Sequence, residues 1–223
     1  MVDEDERPFI FLRRGILFII SAPSGAGKTT LSQQILDLVP DLRLSISYTT
    51  RAPRAGERDG RDYHFISEAR FLHLRAADAF AEWAEVHGCL YGTARTSLAE
   101  ALEQGQDLLL DIDVQGARQI KASSADAVSI FVLPPSWQEL EGRLRGRATD
   151  GEEVISRRLQ RAREEAHELF SYDYWLVNDK VERAVAVLRG IILAERARVS
   201  RLTPDHTASV LFASPTEQGR KPL

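Results

Sequence analysis

The sequence predicts an α/β protein whose parallel β-sheet is covered by helices on both faces. Three short apolar runs, at residues 16–20, 108–110 and 128–133, have no room for a polar face, as expected of strands buried on both sides. Segments with helical spacing of apolar residues separate these runs. Buried strands that alternate with helices are typical of parallel sheets, so ligands should gather beyond the carboxyl ends of the strands.

Size and composition indicate one globular domain. The chain has 223 residues, 43% hydrophobic and 28% charged, which is enough to bury a sizeable core. The net charge of −4 argues against a non-specific nucleic-acid binder. No apolar run approaches the ~20 residues of a membrane span, and the acidic residues 2–6 are no signal peptide, so we expect a cytoplasmic protein without a membrane partner. Cys89 is the only cysteine, which excludes an intramolecular disulfide and a cysteine-based metal cluster.

Residues 21–30 read SAPSGAGKTT and form the turn between the first apolar run and the first helix. Such a Gly-rich turn points backbone N–H groups and a helix N-terminus at one spot, which suits a polyphosphate. Lys28 would reach the β- and γ-phosphates, and the Thr29 hydroxyl would ligate Mg²⁺. Ala22 stands where the general motif has Gly; it costs little at negative φ and about 1 kcal/mol at positive φ. The alternative is an ordinary strand–helix turn that contains Gly-Lys-Thr.

The next part of the chain departs from strand–helix alternation. Apolar alternation predicts a half-buried strand at 42–46, and the polar loop at 48–65 is too long for a simple connection. The remaining predicted elements are a helix over 67–79, a strand over 80–86, a turn over 88–93, and a helix with a capping box at Ser97 and Glu100 that stops at Gly105. We interpret residues 45–97 as an inserted lobe.

The second half of the chain returns to alternation. The strand at 108–113 ends in two carboxylates, and Ser136 caps a helix that reaches about Arg145. After a break at 146–151, Thr149 caps a helix whose predicted buried positions are Ile155, Leu159, Ala162, Ala166 and Leu169. A short strand at 174–177 and a last helix over 181–202 follow, and that helix is predicted to bury Val185, Leu188, Ile192 and Val199.

The expected organisation is a flexible leader over residues 1–14, one domain over 15–202 and a flexible tail over 203–223. Within the domain, the phosphate loop is residues 22–29 and the lid is about 136–160. Because they follow buried strands, the phosphate loop, the carboxylates Asp111 and Asp113, and Asn178 should share one crevice.

The inserted lobe contributes two arginines and two tyrosines, Arg51, Arg54, Tyr63 and Tyr91, without an obvious carboxylate partner in the sequence. Guanidinium groups bind phosphate monoesters bidentately, and tyrosine adds neutral donors, so the set suits a phosphate monoester. The alternative is that these arginines are solvated surface residues, which is the usual location of arginine.

Glu82 lies in a predicted strand between Phe80 and Trp83, where a carboxylate is costly unless it is paired. A carboxylate accepts hydrogen bonds only, so it matches the adjacent N1–H and N2–H₂ donors of guanine and repels the N1 acceptor of adenine. The alternative is a structural ion pair with an arginine.

Two further sets of charged residues have open roles. Asp111 and Asp113 would either hold Mg²⁺ water ligands or position Lys28 and the lobe arginines, and one of them would equally serve as the N-cap of the helix at Gln115. Arg143, Arg147 and Arg158 flank the break at 146–151, which suits a lid that closes over transferring phosphoryl groups. The alternative for these arginines is a charged solvent face.

Five stretches of the chain together resemble the guanylate kinase family of P-loop nucleoside monophosphate kinases. They are residues 21–29, 45–57, 60–65, 111–116 and 177–179, and the similarity covers about residues 15–200. The resemblance implies a core, a GMP-binding lobe and a lid. It implies Mg²⁺-dependent transfer of the ATP γ-phosphoryl group to GMP, and by extension dGMP, in purine nucleotide metabolism. The oligomeric state stays open.

The resemblance also assigns roles by position. It places GMP against Ser47, Arg51, Arg54, Tyr63, Glu82, Tyr91, Thr93, Asp111 and Asp113. It places ATP against Ala22, Pro23, Ser24, Gly25, Ala26, Gly27, Lys28, Thr29, Thr30, Arg143, Arg147 and Asn178, with Mg²⁺ on Thr29, phosphate oxygens and water. The groups that would stabilise the transferring phosphoryl group are Lys28, Arg51, Arg143, Arg147 and Arg158.

Three positions depart from the pattern of the family: Ala22, Cys89 in place of a frequent Asn, and Ala148 in place of a lid Gly. Two rival functions remain. One is a scaffold module that binds peptides without turnover, although such modules typically have degraded phosphate loops. The other is a P-loop kinase with a different phosphorylated acceptor.

Overall fold

The computed structural model describes residues 13–86, 88–146 and 151–202. Its strands are β1 (Leu17–Ser21), β2 (Leu42–Leu44), β3 (Tyr48–Thr49), β4 (His64–Phe65), β5 (Phe80–Val86), β6 (Cys89–Ala94), β7 (Asp107–Asp111), β8 (Val128–Leu133) and β9 (Tyr174–Val177). Its α-helices are α1 (Lys28–Leu38), α2 (Glu68–Ala76), α3 (Arg95–Glu103), α4 (Val114–Ser123), α5 (Trp137–Arg145), α6 (Glu152–Ala166) and α7 (Val181–Arg196).

The central sheet has five strands in the order β2-β7-β1-β8-β9, and every neighbouring pair is parallel. Alternate residues of β1 face opposite sides of it. Phe18 and Ile20 pack in a cluster with residues of α1 and α7, whereas Leu17 and Ile19 pack in a cluster with residues of α3 and α4. Burial on both sides explains why β1 reads as a continuous apolar run, and it confirms the predicted fold class.

A second sheet has the order β4-β3-β6-β5 and lies within residues 48–94. Strands β5 and β6 form an antiparallel hairpin, and β3 joins β6 antiparallel and β4 parallel. The rings of Phe71 and Phe80 stack at 4.6 Å between centroids beneath it. A Cβ at Gly92 would lie within 3.0–3.1 Å of both rings, so a side chain at this position of β6 would require the rings to shift by a few tenths of an ångström.

The predicted turn over 88–93 is wrong, because residues 89–94 form strand β6. Cys89 pairs with Val86 and Leu90 with Glu85, both in strand β5. Pairing with β5 stabilises the strand, and the mixed polar and apolar sequence of residues 89–94 does not indicate that pairing by itself. Helix α3 consequently begins at Arg95, and its N-cap, Ala94, makes no side-chain cap hydrogen bond. The predicted capping box at Ser97 is therefore also wrong.

Other helix ends are partly as predicted. Ser136 caps α5 through its hydroxyl oxygen as predicted, and Ser67, where the sequence predicts only the start of a helix, caps α2 in the same way. Helix α6 has Gly151 as its N-cap rather than the predicted Thr149, which lies outside the described residues. Val199 is 80% exposed in a 3₁₀ turn after α7, so its predicted burial is wrong; the helix already ends at Arg196.

Most of the predicted leader and all of the predicted tail, residues 1–12 and 203–223, lie outside the described part of the chain. Arg13, at the end of that leader, makes two hydrogen bonds of 2.6 and 2.8 Å to the fully buried carboxylate of Asp107. None of the helices in the described ranges is long and apolar enough to cross a membrane.

Candidate active site

The phosphate loop joins the end of β1 to the start of α1. Gly25 and Gly27 have φ values of 94° and 92°, a region that favours glycine. The Nδ2 atom of Asn178 donates to the carbonyl of Ala26 at 2.8 Å, and it lies so close to Gly27 that a Cβ there would clash. Asp41 and Asp78 are the only non-glycine residues with positive φ among those described, so Ala22 has negative φ and carries no backbone strain.

Lys28 is held by the end of β7. Its Nζ lies 2.6 Å from Oδ1 of Asp111 and donates to the carbonyl of Ile112 at 2.9 Å. The other carboxylate oxygen of Asp111 accepts from the Ser32 hydroxyl at 3.1 Å. Of the roles left open for Asp111, the geometry shows the positioning of Lys28.

Asp113 has the other role that the sequence left open, since it is the N-cap of α4. Its Oδ1 accepts from the backbone N–H groups of Gln115 and Gly116, both at 3.0 Å. Its Oδ2 lies 3.5 Å from a guanidinium nitrogen of Arg161 in α6. Asp113 therefore links the start of α4 to the helix on the other side of the crevice.

The predicted lid contributes arginines beside the phosphate loop. Arg143 donates to the carbonyl of Asn178 at 3.1 Å. Arg158 and Arg161 of α6 line a pocket of about 260 Å³ together with Asp113, Glu165, Val86 and residues 22–25 and 27–30 of the loop. Arg147 and Ala148 lie outside the described residues.

The lobe arginines are arranged differently from expectation. Arg51 has a carboxylate partner after all: its guanidinium makes two hydrogen bonds to Glu57, at 3.0 and 2.9 Å. This pairing, which outweighs the opposing effect of burial, raises the pKa of Arg51 above its usual range. The backbone N–H of Arg54 also donates to Glu57 at 2.7 Å, while the Arg54 side chain is exposed.

Two tyrosines complete this cluster. The guanidinium carbon of Arg51 lies 5.4 Å from the centroid of the Tyr63 ring, and the Tyr63 and Tyr91 rings meet edge to face at 5.9 Å. Burial, reinforced by the negative charge of Asp111, raises the pKa of Tyr63 to about 12, so this phenol is a neutral donor. The structure thus brings Arg51, Tyr63 and Tyr91 together.

Glu82 is only 3% exposed, in strand β5. Its Oε1 accepts from the Thr93 hydroxyl at 2.6 Å, and that hydroxyl lies 3.3 Å from the hydroxyl of Ser47. Burial raises the pKa of Glu82 to about 7, although the Thr93 hydrogen bond opposes this shift. Within the described residues Glu82 has no ion pair, so the alternative of a structural salt bridge with arginine finds no support there.

A magnesium ion is consistent with the donors at the loop. Thr29 places its hydroxyl in the first turn of α1, and Mg²⁺ bound to a nucleotide typically takes one or two protein oxygens with phosphate oxygens and water. The described part of the chain has no group of three or more His, Cys, Asp or Glu residues suited to a metal. The phosphates and water would therefore supply most of the ligands.

Sequence reasoning missed four residues of this site. Arg161 had a usable signal, because it lies three positions after Arg158 and thus on the same helix face. Glu57 was one of several charged residues in its loop. Gly116 and Gln119 of α4 contact the region of Glu82, and nothing local in the sequence indicates that contact.

Comparisons with known proteins show the family to which the chain belongs. A sequence profile described as guanylate kinase matches residues 14–195. The chain is 61% identical over 190 residues to a guanylate kinase of Syntrophotalea carbinolica, covering 85% of this chain and 90% of that protein. It is 54% identical over 190 residues to a guanylate kinase of Geobacter sulfurreducens, covering 85% and 94%.

A solved structure of guanylate kinase from Anaplasma phagocytophilum has 32% sequence identity and a TM-score of 0.73, and the match covers 90% of this chain and 96% of that one. The profile spans most of the chain, and the relatives are matched over nearly their whole length. This chain therefore belongs to the guanylate kinase family of ATP:GMP phosphotransferases.

Proposed function

We propose that this protein transfers the γ-phosphoryl group of ATP to GMP, giving ADP and GDP. The observation that carries the proposal is the buried carboxylate of Glu82 near an intact phosphate loop. Burial raises the pKa of Glu82, and Lys28 is close enough for its positive charge to oppose that shift. A carboxylate that can recognise a nucleobase, placed near a triphosphate site, suits a kinase that acts on a nucleotide.

ATP binds with its phosphates on the loop, where backbone N–H groups and the N-terminus of α1 face them. The loop residues are 22–30, and Asn178 supports them through its hydrogen bond to Ala26. Lys28 contacts the β- and γ-phosphates after exchanging part of its contact with Asp111. Thr29 would hold Mg²⁺ together with phosphate oxygens and water, and the bound ion would supply positive charge beside the phosphates.

GMP binds with its phosphate in the lobe and its base at Glu82. Arg51, Tyr63 and Tyr91 supply the phosphate donors, and the exposed Arg54 side chain adds a second guanidinium. Glu82 accepts from N1–H and N2–H₂ of guanine. Thr93 and Ser47 support the base from the same side, and Asp111 and Asp113 support the site through Lys28 and α4.

The reaction requires alignment and charge stabilisation rather than a general base, because the phosphate oxygen of GMP is already anionic. Lys28 and the lid arginines Arg143, Arg147 and Arg158 stabilise charge on the transferring group. We add Arg161 to this set, since it lines the pocket beside Arg158. Closure of α5 and α6 over the crevice excludes water, which would otherwise hydrolyse ATP.

Several finer features follow from this assignment. The protein contacts proposed for the nucleoside are on the base, so we expect dGMP to be an acceptor as well. Both substrates are metabolites of purine nucleotide metabolism, and we place the protein in the cytoplasm with them. Neither a nucleic acid nor a membrane is a required partner.

An acceptor screen tests the proposal. Purified protein with ATP and Mg²⁺ is given GMP, dGMP, IMP, AMP or a sugar phosphate, and ADP release is followed in a coupled assay. GMP should be the best acceptor and AMP inactive. Faster turnover of AMP or a sugar phosphate would favour another P-loop kinase, and no ADP release with GMP would favour a binding module without turnover.

A further inference from the structure

Helix α4 packs against strand β5 at the position of Glu82. A Cβ built on Gly116 would approach Oε2 of Glu82 to well under the 3.0 Å that real Cβ atoms keep, and it would lie 3.1 Å from the carboxylate carbon. On the other side, Oε1 of Glu82 accepts a hydrogen bond from the Thr93 hydroxyl at 2.6 Å. The carboxylate is therefore held between Thr93 and the bare Cα of Gly116.

One turn further along the same face of α4, Gln119 binds the backbone next to Glu82. Its Oε1 accepts from the N–H of Trp83 at 3.1 Å, and its Nε2 donates to the carbonyl of Trp83 at 2.7 Å. Strand β5 is the edge of its sheet, so within the described part of the chain these two backbone groups have no strand neighbour on that side. The amide of Gln119 replaces the missing strand and fixes the backbone beside Glu82.

We propose that Gly116 and Gln119 are positioning residues that determine specificity for guanine. Gly116 provides the space for the Glu82 carboxylate, and Gln119 fixes the strand from which that side chain projects. Guanine offers two adjacent donors to the carboxylate, whereas hypoxanthine offers only N1–H. Discrimination between the two bases thus depends on both oxygens of Glu82 being in register with the base. This inference rests on the proposed function and goes beyond it.

Two variants with matched controls test the inference. Gly116→Ala introduces the Cβ beside Glu82, and its control is Gly190→Ala in α7, where a Cβ meets nothing within 4 Å. Gln119→Leu removes both hydrogen bonds to Trp83, and its control is Gln34→Leu at an exposed position of α1. Circular dichroism establishes that each variant is folded, and if Gly116→Ala does not fold, Gln119→Leu decides.

The readouts are KM for GMP, KM for ATP and the ratio of kcat/KM for GMP to that for IMP, with titration calorimetry of GMP and IMP binding in parallel. We expect both variants to raise KM for GMP and lower the GMP-to-IMP ratio by about tenfold, with KM for ATP unchanged. An unchanged GMP-to-IMP ratio in folded variants would overturn this inference but not the proposed function. Absence of GMP turnover in the unmodified protein would overturn the proposed function, and the inference with it.

Discussion

The guanidinium of Arg51 and the carboxylate of Glu57 face each other in a bidentate ion pair, with distances of 3.0 and 2.9 Å. One nitrogen of Arg51 also donates to the carbonyl of Ala52 at 2.8 Å. A guanidinium has five N–H donors, so part of its donor set stays available for a phosphate while Glu57 fixes its plane. Glu57 consequently orients Arg51 over the Tyr63 ring before a ligand arrives.

The first prediction concerns this pair. Glu57→Gln removes the charge that orients Arg51, and we expect KM for GMP to rise about tenfold, which corresponds to about 1.4 kcal/mol. Steady-state kinetics with GMP varied at saturating ATP measures it. The control is Asp62→Asn, which removes the more exposed ion pair with Arg61 in the same loop. Equal effects of the two substitutions would mean that Glu57 only supports the loop.

The second prediction concerns Lys28. Lys28→Ala removes the positive charge at the transferring phosphoryl group, so we expect kcat to fall by about 10² or more while the protein stays folded. Turnover and thermal unfolding are measured together. Lys180→Ala, at an exposed position before α7, should leave kcat unchanged. Unchanged turnover in Lys28→Ala would contradict the assignment of the phosphate loop.

The third prediction concerns the base. Glu82→Gln replaces a charged acceptor by a neutral amide, so GMP binding should weaken by about 1–3 kcal/mol, as expected of a hydrogen bond to a charged group. ATP binding should not change. Calorimetric titrations with each nucleotide provide the comparison. An equal loss for ATP would indicate a structural role for Glu82.

The fourth prediction uses the pKa of Glu82. Because burial raises that pKa from 4.5 to about 7, the folded protein binds this proton more tightly than the unfolded chain does. The free energy of unfolding therefore falls progressively between about pH 4.5 and 7, because the unfolded chain ionises more readily there than the folded protein. Glu82→Gln has no ionisable group at this position and should not show this fall. Relative to the unmodified protein, the variant should gain up to about 3 kcal/mol over that range, at about 1.4 kcal/mol per pKa unit.

Urea unfolding of both proteins at several pH values measures this gain. A difference in stability that stays constant from pH 4.5 to 8 would show that Glu82 ionises normally in the folded protein. The same proton affects function in the opposite direction: GMP needs the ionised carboxylate, so its affinity should fall below pH 7 more steeply in the unmodified protein than in Glu82→Gln.

The fifth prediction concerns α6. Arg161 contacts Asp113 and lines the pocket at the phosphate loop, so Arg161→Ala should lower kcat about tenfold, or about 1.4 kcal/mol of transition-state stabilisation. Arg157→Ala on the same helix is the control, because Arg157 is mostly exposed and pairs with Glu153. If both substitutions lower kcat equally, Arg161 acts only through the overall charge of the helix.

Local sequence patterns predict much of this structure. Strands β1 and β8 are apolar runs that need no distant partner to be recognised, and the glycines of the phosphate loop indicate their own positive φ values. Ser67 and Ser136 cap their helices through contacts within the same turn. Features of this kind depend on neighbours in sequence and are therefore readable from it.

Most of the features that sequence reasoning missed depend on contacts that a single helix or strand does not make by itself. Cys89–Ala94 is a strand because β3 and β5 flank it. Gly116 matters because Glu82, in another element, lies against it. Arg51 pairs with Glu57, later in the same loop, only because the loop folds back on itself. No pattern of period two or 3.6 reports such contacts.

The most direct test of the central claim follows the phosphoryl group itself. ATP labelled at the γ-phosphate is incubated with Mg²⁺, GMP and either the purified protein or its Lys28→Ala variant, and the products are separated. We predict that the label moves into GDP in equal amount to the ADP formed, and that the variant transfers it at least about 10² times more slowly. Label released as inorganic phosphate, or retained in ATP while GMP is bound, would contradict the claim.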